Sequence, residues 1–314
     1  MSKVLCIADS CADILIPYGE IKKGKDASVS FSCGGFGANS VYALAKLNVP
    51  VAFCAKAGKD LYGREMKRQL EKAGADTKHF ILDEDLVSTQ ILVVIDENRD
   101  RFPLLMPREN PSYLQITEDD LSAIDLQDTE YVLSNGMMLF DRPAAPAICA
   151  FLKRAHEEGV QILIDINYRI ETLQKDRKYL DEVLEIADHI LGSQEDDFLP
   201  LTGETDIEEA VRHFQKGQTL VMRNEEGSLI CQGENRYHAR RFEVEVEDTL
   251  GAGDAFNAGY IYGLVSHRSL KECNLLGCAA AAYCVSGKGA RYVPNEKELL
   301  EMIRERDKEK RKCR

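Results

Sequence analysis

From residue 131 to residue 231, short apolar runs alternate with apolar positions at helical spacing. Tyr131-Val132-Leu133 comes first. A helical pattern near 142–158 follows, with Ala145, Ile148, Cys149, Leu152 and Ala155 on one face, and then Ile162-Leu163-Ile164-Asp165-Ile166. His189-Ile190-Leu191 and Thr219-Leu220-Val221-Met222 repeat the strand half of the unit, each after a further helical stretch. This alternation predicts βαβ units, and therefore a mainly parallel sheet with helices on both faces. Val51 to Ala55 and a helix near 60–73 extend the rhythm toward the N-terminus.

Two stretches interrupt it, near 14–33 and 87–106, and both read as β. In the second, Ser88 to Ile95 and Arg101 to Met106 flank the polar Asp96-Glu97-Asn98-Arg99-Asp100, a loop of hairpin length. A separate small sheet is expected there, acting as a lid. From Ala255 onward the pattern is helical, with Phe256, Ala258, Tyr260, Ile261 and Leu264 in one segment and an alanine-rich Leu275 to Val285 in the next. The last eleven residues carry seven basic and three acidic side chains with no apolar stripe, and read as a fraying, solvated tail. With no repeat, linker or low-complexity stretch, residues 1–314 read as one continuous α/β domain with an inserted β lid. Its expected architecture is a three-layer α/β/α arrangement around a mainly parallel central sheet.

Composition narrows the chemistry. The chain has 314 residues, of which 44% are apolar, enough for a sizeable core. A formal charge of −13 disfavours nucleic acid and anionic membrane as partners, so an anionic ligand would have to meet local donors. The ten cysteines sit mostly inside apolar segments and form no Cys-x-x-Cys pair. That predicts buried thiols in a reducing cytoplasmic setting, without structural zinc. No apolar run approaches the ~18 residues of a membrane span, and no leader or anchor is visible.

The most informative stretch is Asp248-Thr249-Leu250-Gly251-Ala252-Gly253-Asp254-Ala255-Phe256. Glycines relax the backbone just ahead of an apolar helix, whose first N–H groups are unpaired and whose dipole attracts anions. Asp254 stands where it can take a proton from a nucleophile, although a first-turn acid also suits a helix dipole without any catalytic role. Gly34-Gly35-Phe36-Gly37-Ala38-Asn39 is a second glycine cluster opening a second helix. Together the two suggest the halves of one cleft.

On these residues the chain resembles the ribokinase-like (PfkB-type) carbohydrate kinases over nearly its whole length. Gly34 to Asn39 is similar to the family's N-terminal Gly-Gly motif, Gly58-Lys59-Asp60-Leu61-Tyr62-Gly63 to its Gly-Asp-Asp-x-x-Gly segment, and Asp248 to Phe256 to its C-terminal signature. The resemblance implies an ATP-dependent sugar kinase, with Asp254 as catalytic base and the N–H groups of Gly251, Ala252 and Gly253 as the anion hole. Such a hole suits phosphoryl transfer, which needs mainly positioning and electrostatic stabilisation. By the same resemblance Asp13, Gly34, Gly35 and Asn39 contact the sugar, and Asp165-Ile166-Asn167-Tyr168-Arg169 lines the cleft, with Arg169 able to hold an anion. Asp13 also reads as a strand-end cap, and Arg169 as a surface ion pair. Asn224-Glu225-Glu226-Gly227 takes the place of the family's Gly-x-x-Gly nucleotide loop, where Asn suits a left-handed backbone. Gly287-Lys288-Gly289-Ala290 resembles the late loop that closes round the nucleotide. Asp248 matches a monovalent-cation position, which brings K+ in beside ATP and Mg2+.

The match departs from the family at several points. The Asn-x-x-Glu motif tied to magnesium appears as Gln194-Glu195-Asp196-Asp197, where Asp197 keeps a carboxylate that can act on magnesium through water, or serve as an acidic helix start. Met222 stands where the family often has a polar residue beside the phosphates, and Cys278 where ribokinase tends to have asparagine. Around the hairpin, Arg99, Arg101 and Arg108 would favour an acidic or phosphorylated sugar if one of them, Arg101 being the candidate, faces the cleft. If all face water, a neutral ketose or pentose is favoured.

Acceptors of the ribose, fructose or 2-keto-3-deoxygluconate class follow, with a nucleoside kinase as the nearest rival. A non-catalytic sugar sensor is the other alternative, resting on the altered Gln194–Asp197 motif. A dinucleotide fingerprint at Gly35-x-Gly37 fails at its third glycine, where Ser40 stands. An apolar lid face such as Ile91, Val93 and Ile95 needs covering, which predicts a homodimer through the lid.

Overall fold

The structure is a computed structural model that describes residues 2–98, 101–107, 109–140, 143–167 and 176–312. The side chains of residues 101, 103, 307 and 309–312 are outside that description. Among the described residues thirteen strands form two sheets. They are β1 (Val4–Ile7), β2 (Cys11–Ile16), β3 (Ser30–Gly34), β4 (Val51–Gly58), β5 (Phe80–Asp83), β6 (Gln90–Ile95), β7 (Arg101–Met106), β8 (Tyr131–Asn135), β9 (Gln161–Asp165), β10 (His189–Ser193), β11 (Thr219–Asn224), β12 (Gly227–Gln232) and β13 (Asn235–Arg240).

The larger sheet has nine strands in the order β13-β12-β11-β10-β9-β8-β1-β4-β5. From β11 to β5 every neighbour is parallel, and β12 and β13 complete one edge as antiparallel strands. That edge was not legible in the βαβ rhythm, because antiparallel strands need no helix between them. The central strands are apolar on both sides, as parallel strands under two helical layers must be. Val4 and Cys6 of β1 face one core while Leu5 and Ile7 face the other, and Phe53 and Cys54 of β4 divide in the same way.

On one face lie the helices Phe36–Lys46, Leu61–Ala73, Ala252–Val265 and Leu270–Val285, and on the other Ala144–Glu157 and Lys178–Ile186. The three-layer α/β/α fold expected from the sequence is therefore present. Helix Ala252–Val265 is buried along nearly its whole length, and its Gly259 lets helix Leu270–Val285 come close: a Cβ there would meet the Leu276 carbonyl oxygen at 2.5 Å.

The smaller sheet, in the order β3-β2-β6-β7, occupies the two stretches read as β. A short helix, Tyr18–Lys22, interrupts the first. The register of the sheet divides the apolar side chains between two faces. Ile91 and Val93 pair with Asp13 and Leu15, so they share the side of Asp13. The strongly exposed apolar side chains are Phe102 (52%), Leu104 (53%) and Met106 (47%), which alternate along β7 on the opposite side together with Leu92 and Val94.

The C-terminus also differs from expectation, because Glu296–Lys312 is one helix rather than a fraying tail. Arg306 lies 4.3 Å over the Phe242 ring, so part of this basic segment packs on the body of the protein. The nine described cysteines are free and buried. No described helix is long and apolar enough to cross a membrane.

Replacing Gly259 with valine should force these two helices apart, at a cost of about 1–3 kcal/mol. The expected result is a Tm lowered by several degrees in a calorimetric scan; an unchanged Tm would contradict the packing described here.

Candidate active site

Every parallel strand of the large sheet ends at the same edge, and a polar or charged side chain follows most of those ends. Asp9 follows β1, Asn135 closes β8, Asp165 closes β9, Asp197 follows β10, and Arg223 and Asn224 close β11. This carboxyl edge is where open α/β sheets bind ligands. A cavity of about 1310 Å³ opens there, bordered among others by Asn167, Asp197, Asn224, Gly253, Asp254 and Cys278.

Helix Ala252–Val265 supplies the centre. Its N-cap is Gly251 in the left-handed conformation (φ 80°), and Ala290 packs so closely that a Cβ on Gly251 would lie 2.6 Å from the Ala290 Cα. A side chain is excluded on both counts. The Ala252 N–H turns back to the Thr249 carbonyl at 3.3 Å, whereas the Gly253 N–H has no acceptor among the described residues and borders the cavity. Of the three amides expected to form the anion hole, Ala252 is thus partly occupied.

Asp254, one residue on, accepts from the Asn39 Nδ2 at 3.0 Å. Burial pushes its pKa from 3.8 up to about 8. The Asn39 hydrogen bond and Arg223 oppose that rise, while Asp165 and Asp9 add to it.

Asn39 belongs to helix Phe36–Lys46, whose first N–H, that of Phe36, donates to Asp9 at 3.1 Å. Asn135 donates to the other Asp9 oxygen at 3.0 Å. Next to this helix start, Gly34 leaves room for Asp13, since a Cβ on Gly34 would fall 1.9 Å from the Asp13 carboxylate. Gly35 sits similarly over Asp9. Burial lifts the Asp13 pKa to about 6, against the pull of the Cys11 thiol and of Arg291. Asp13, Gly34, Gly35 and Asn39 therefore converge on the Asp254 side of the cleft, beyond the walls of the large cavity.

On the other side Arg223 is the hub. Its Nη1 donates to Asp165 at 2.9 Å and to Asn257 Oδ1 at 2.5 Å, while Asn257 Nδ2 donates to Asp165 at 2.6 Å. Burial alone would weaken the guanidinium charge, but Asp165 beside it raises its pKa. Removing either partner would strand a buried charge. Arg223, Asn257 and Asp9 were missed in the sequence, although a lone Asn inside an apolar helix and charged residues just past strand ends were available signals.

Several expectations need correction. Met222 is fully buried in the core, because strand alternation turns it inward and turns Arg223 toward the cleft. Asn224 is not among the described residues with positive φ. Instead its Oδ1 accepts from the Glu226 N–H and its Nδ2 donates to Gln194, in the turn joining β11 to β12, where Asn224 and Gly227 are paired. Gln194 is held there and does not border the cavity.

Asp197 borders the cavity while its Oδ2 accepts from the Ser193 N–H at 2.6 Å. Cys278 contacts Ser228 Oγ at 2.9 Å on the cavity wall, near Ala281, Ala282 and Val285. Gly289 lies outside the wall; its N–H donates to Asp248 Oδ2 at 3.2 Å, and the other oxygen of Asp248 takes the Leu250 N–H at 3.1 Å. Asp248 thus ties two loops together. Arg99, Arg108 and Arg169 lie outside the described residues, as does the side chain of Arg101.

A buried carboxylate of raised basicity, beside amides that can take up negative charge and between a large cavity and a corner of polar groups, is an arrangement suited to phosphoryl transfer. Residues 1–298 match the pfkB family of carbohydrate kinases, and the chain belongs to that family, whose members make it an ATP-dependent carbohydrate kinase. It is 26% identical to the 5-dehydro-2-deoxygluconokinase of Bacillus subtilis (strain 168), over 96% of this chain and 95% of that protein. Among solved structures, it is similar to the aminoimidazole riboside kinase of Salmonella enterica complexed with aminoimidazole riboside and an ATP analogue. That match has a TM-score of 0.80 and 23% identity, covering 96% of this chain and 99% of that one. A double-mutant fructokinase of Vibrio cholerae O395, with fructose, ADP and a potassium ion, gives a TM-score of 0.82 at 23% identity, over 96% and 98% of the two chains.

The Asp254 pKa fixes a pH dependence. If Asp254 is the base, it must be unprotonated to act, so log kcat/KM should climb with a slope near 1 and level off above about pH 8. Because the native state keeps a proton that the unfolded chain loses above about pH 4, stability of the unliganded protein should fall as pH rises toward 8. Asp254→Asn should flatten that fall in denaturant titrations at pH 5 and pH 8, and an unaltered slope would contradict it.

Proposed function

We propose that the protein transfers the γ-phosphoryl group of ATP to a hydroxymethyl oxygen of a small keto sugar or keto-sugar acid, the class that includes 5-dehydro-2-deoxygluconate. The observation carrying this reading is Asp254 beside the Gly253 N–H, which has no acceptor among the described residues, at the junction of the large cavity with the corner formed by Asp13 and Asn39. The relatives named 5-dehydro-2-deoxygluconokinase, at 23–26% identity, support the keto-acid end of the class. The riboside kinase similarity supports a nucleoside as the second reading.

In this mechanism Asp13 accepts hydrogen bonds from sugar hydroxyls, and Asn39 orients Asp254. Asp254 takes the hydroxymethyl proton as its oxygen bonds to the γ-phosphorus, while the bond from that phosphorus to the bridging oxygen breaks and ADP leaves. The Gly253 amide, with those of Gly251 and Ala252, meets the charge on the migrating group, and Arg223 adds positive potential from behind.

Among the described residues no three His, Cys, Asp or Glu side chains cluster as a metal site. Mg2+ would arrive on the nucleotide phosphates, Asp197 would hold it through water, and the ion would supply charge neutralisation of the phosphates. A monovalent cation such as K+ beside Asp248 would reinforce the tie between the 250 and 289 loops. The four-stranded sheet serves as a lid that keeps competing water out.

Asp254→Asn should lower kcat about 10²–10⁴-fold while leaving sugar binding measurable by calorimetry. In a coupled ADP-release assay across 5-dehydro-2-deoxygluconate, 2-keto-3-deoxygluconate, fructose, ribose and aminoimidazole riboside, a keto-sugar acid should give the highest kcat/KM. Wild-type turnover in the variant would refute the role of Asp254, and a riboside as best acceptor would favour the second reading.

The exposed side of β7 is also the proposed dimer surface, two lids covering each other's Phe102, Leu104 and Met106. Light scattering should give a dimer for the native protein and a monomer for Leu104→Lys; a native monomer at micromolar concentration would refute it.

A further inference from the structure

A second cavity, of about 760 Å³, lies apart from the cleft, behind the strand that carries Gly34. Its wall is cationic: Lys46 ends one helix, Arg68 and Lys72 come from the next, and Arg291 and Lys297 come from the C-terminal segment. The carboxylate on the wall, Glu296, is engaged by the Tyr262 hydroxyl at 2.8 Å and the Asn48 amide at 3.4 Å. Arg68 is answered by Glu65, and Lys297 lies 3.8 Å from Glu301. Among the described residues Lys46, Lys72 and Arg291 form no ion pair, on a chain whose net charge is −13.

Arg291 joins this cavity to the site. Its Nη1 donates to Gln69 Oε1 at 3.0 Å, its guanidinium lies 4.7 Å over the Tyr42 ring and acts on the buried Cys33 thiol, while among the described residues Nε and Nη2 are buried without a well-aligned acceptor. Buried donors of a cation left unmet are costly, and an anion meets them best. The same Gln69 oxygen takes the Cys33 N–H at 3.3 Å. Cys33 precedes Gly34 and pairs with Ala12, the neighbour of Asp13. One residue before Arg291, Ala290 packs on the Gly251 cap of the catalytic helix.

We propose that this pocket is a regulatory site for a small phosphorylated metabolite, and that Arg291 transmits its occupancy to the sugar-holding end of the cleft. A phosphoryl group suits one guanidinium fork with two lysines better than a single carboxylate does, and the cavity volume is in the small-molecule range. A ligand drawing on Arg291 acts both on the strand beside Asp13 and on the turn that opens the anion hole. It also weakens the positive field at Asp13, so the expected effect is a higher sugar KM with kcat little changed. That effect rests on the kinase reading; the binding itself does not.

The test uses the full chain with its cleft filled by a non-hydrolysable ATP analogue. Fructose 1,6-bisphosphate and inorganic pyrophosphate are titrated calorimetrically as separate probes, distinguishing a sugar phosphate from a polyphosphate. Saturable binding of at least one probe is expected, weakened tenfold or more in Lys46→Gln/Lys72→Gln, whose kinetics without probe should match wild type. The probe should raise the sugar KM at least twofold in wild type and not in that double variant. Arg291→Lys, which has no fork, should weaken binding, and at saturating probe it should lose the KM shift because its ammonium no longer holds the link through Gln69 to Cys33. Absence of saturable binding by both probes, or binding undiminished in the double variant, overturns the site; a KM shift surviving in Arg291→Lys overturns the coupling. Calorimetry reads no turnover, so a failed kinase assay leaves the binding result standing.

Discussion

The hydrogen bond from Asn39 to Asp254 joins side chains 215 positions apart and closes the cleft from both sides. Each residue sits in the first turn of a helix, and each helix starts at a glycine whose conformation or clearance a side chain would spoil. The sheet exists, in this sense, to bring two helix starts face to face at its carboxyl edge. Burial raises the basicity of Asp254, which its proposed role as base toward an alcohol would draw on. A hydroxyl is too weak an acid for an unperturbed aspartate to help it much.

Arg223 supports this arrangement from the far side. Its charge balances Asp165 within the Asn257 network, so the positive potential behind helix Ala252–Val265 is fixed before any ligand arrives. Electrostatic preorganisation of this kind needs no rearrangement while charge moves. Asp248 does a comparable job with backbone amides, drawing the chain ahead of the helix against the loop at Gly289.

Much of the fold was legible because its signals are local. The βαβ rhythm from Val132 to Val221, the two β interruptions and the glycine-led helix starts all lie in short windows of sequence. What escaped depends on partners distant in the chain. Whether Met222 or Arg223 faces the cleft is a matter of strand parity relative to the cores, not of residue type. The exposed side of the small sheet depends on the register between β2 and β6, and hydrophobicity alone favoured Ile91 and Val93 equally. Helix Glu296–Lys312 has no apolar stripe on its last turns, and its packing through Arg306 on Phe242 uses a charged side chain that a hydrophobic pattern does not count.

Burial of the thiols has a practical side. Burial pushes Cys54, Cys273 and Cys284 up to about 12, and Cys6 and Cys11 well above the ordinary thiol range, so at neutral pH these sulfurs are neither ionised nor reachable. Several line the seams of the fold, with Cys11 and Cys33 at the root of the small sheet, Cys273 against Gly263 of the neighbouring helix and Cys284 against the Leu250 carbonyl ahead of that helix. An alkylating reagent thus becomes a clock for opening events, each cysteine timing the seam in which it lies, without any label having to be engineered into the chain.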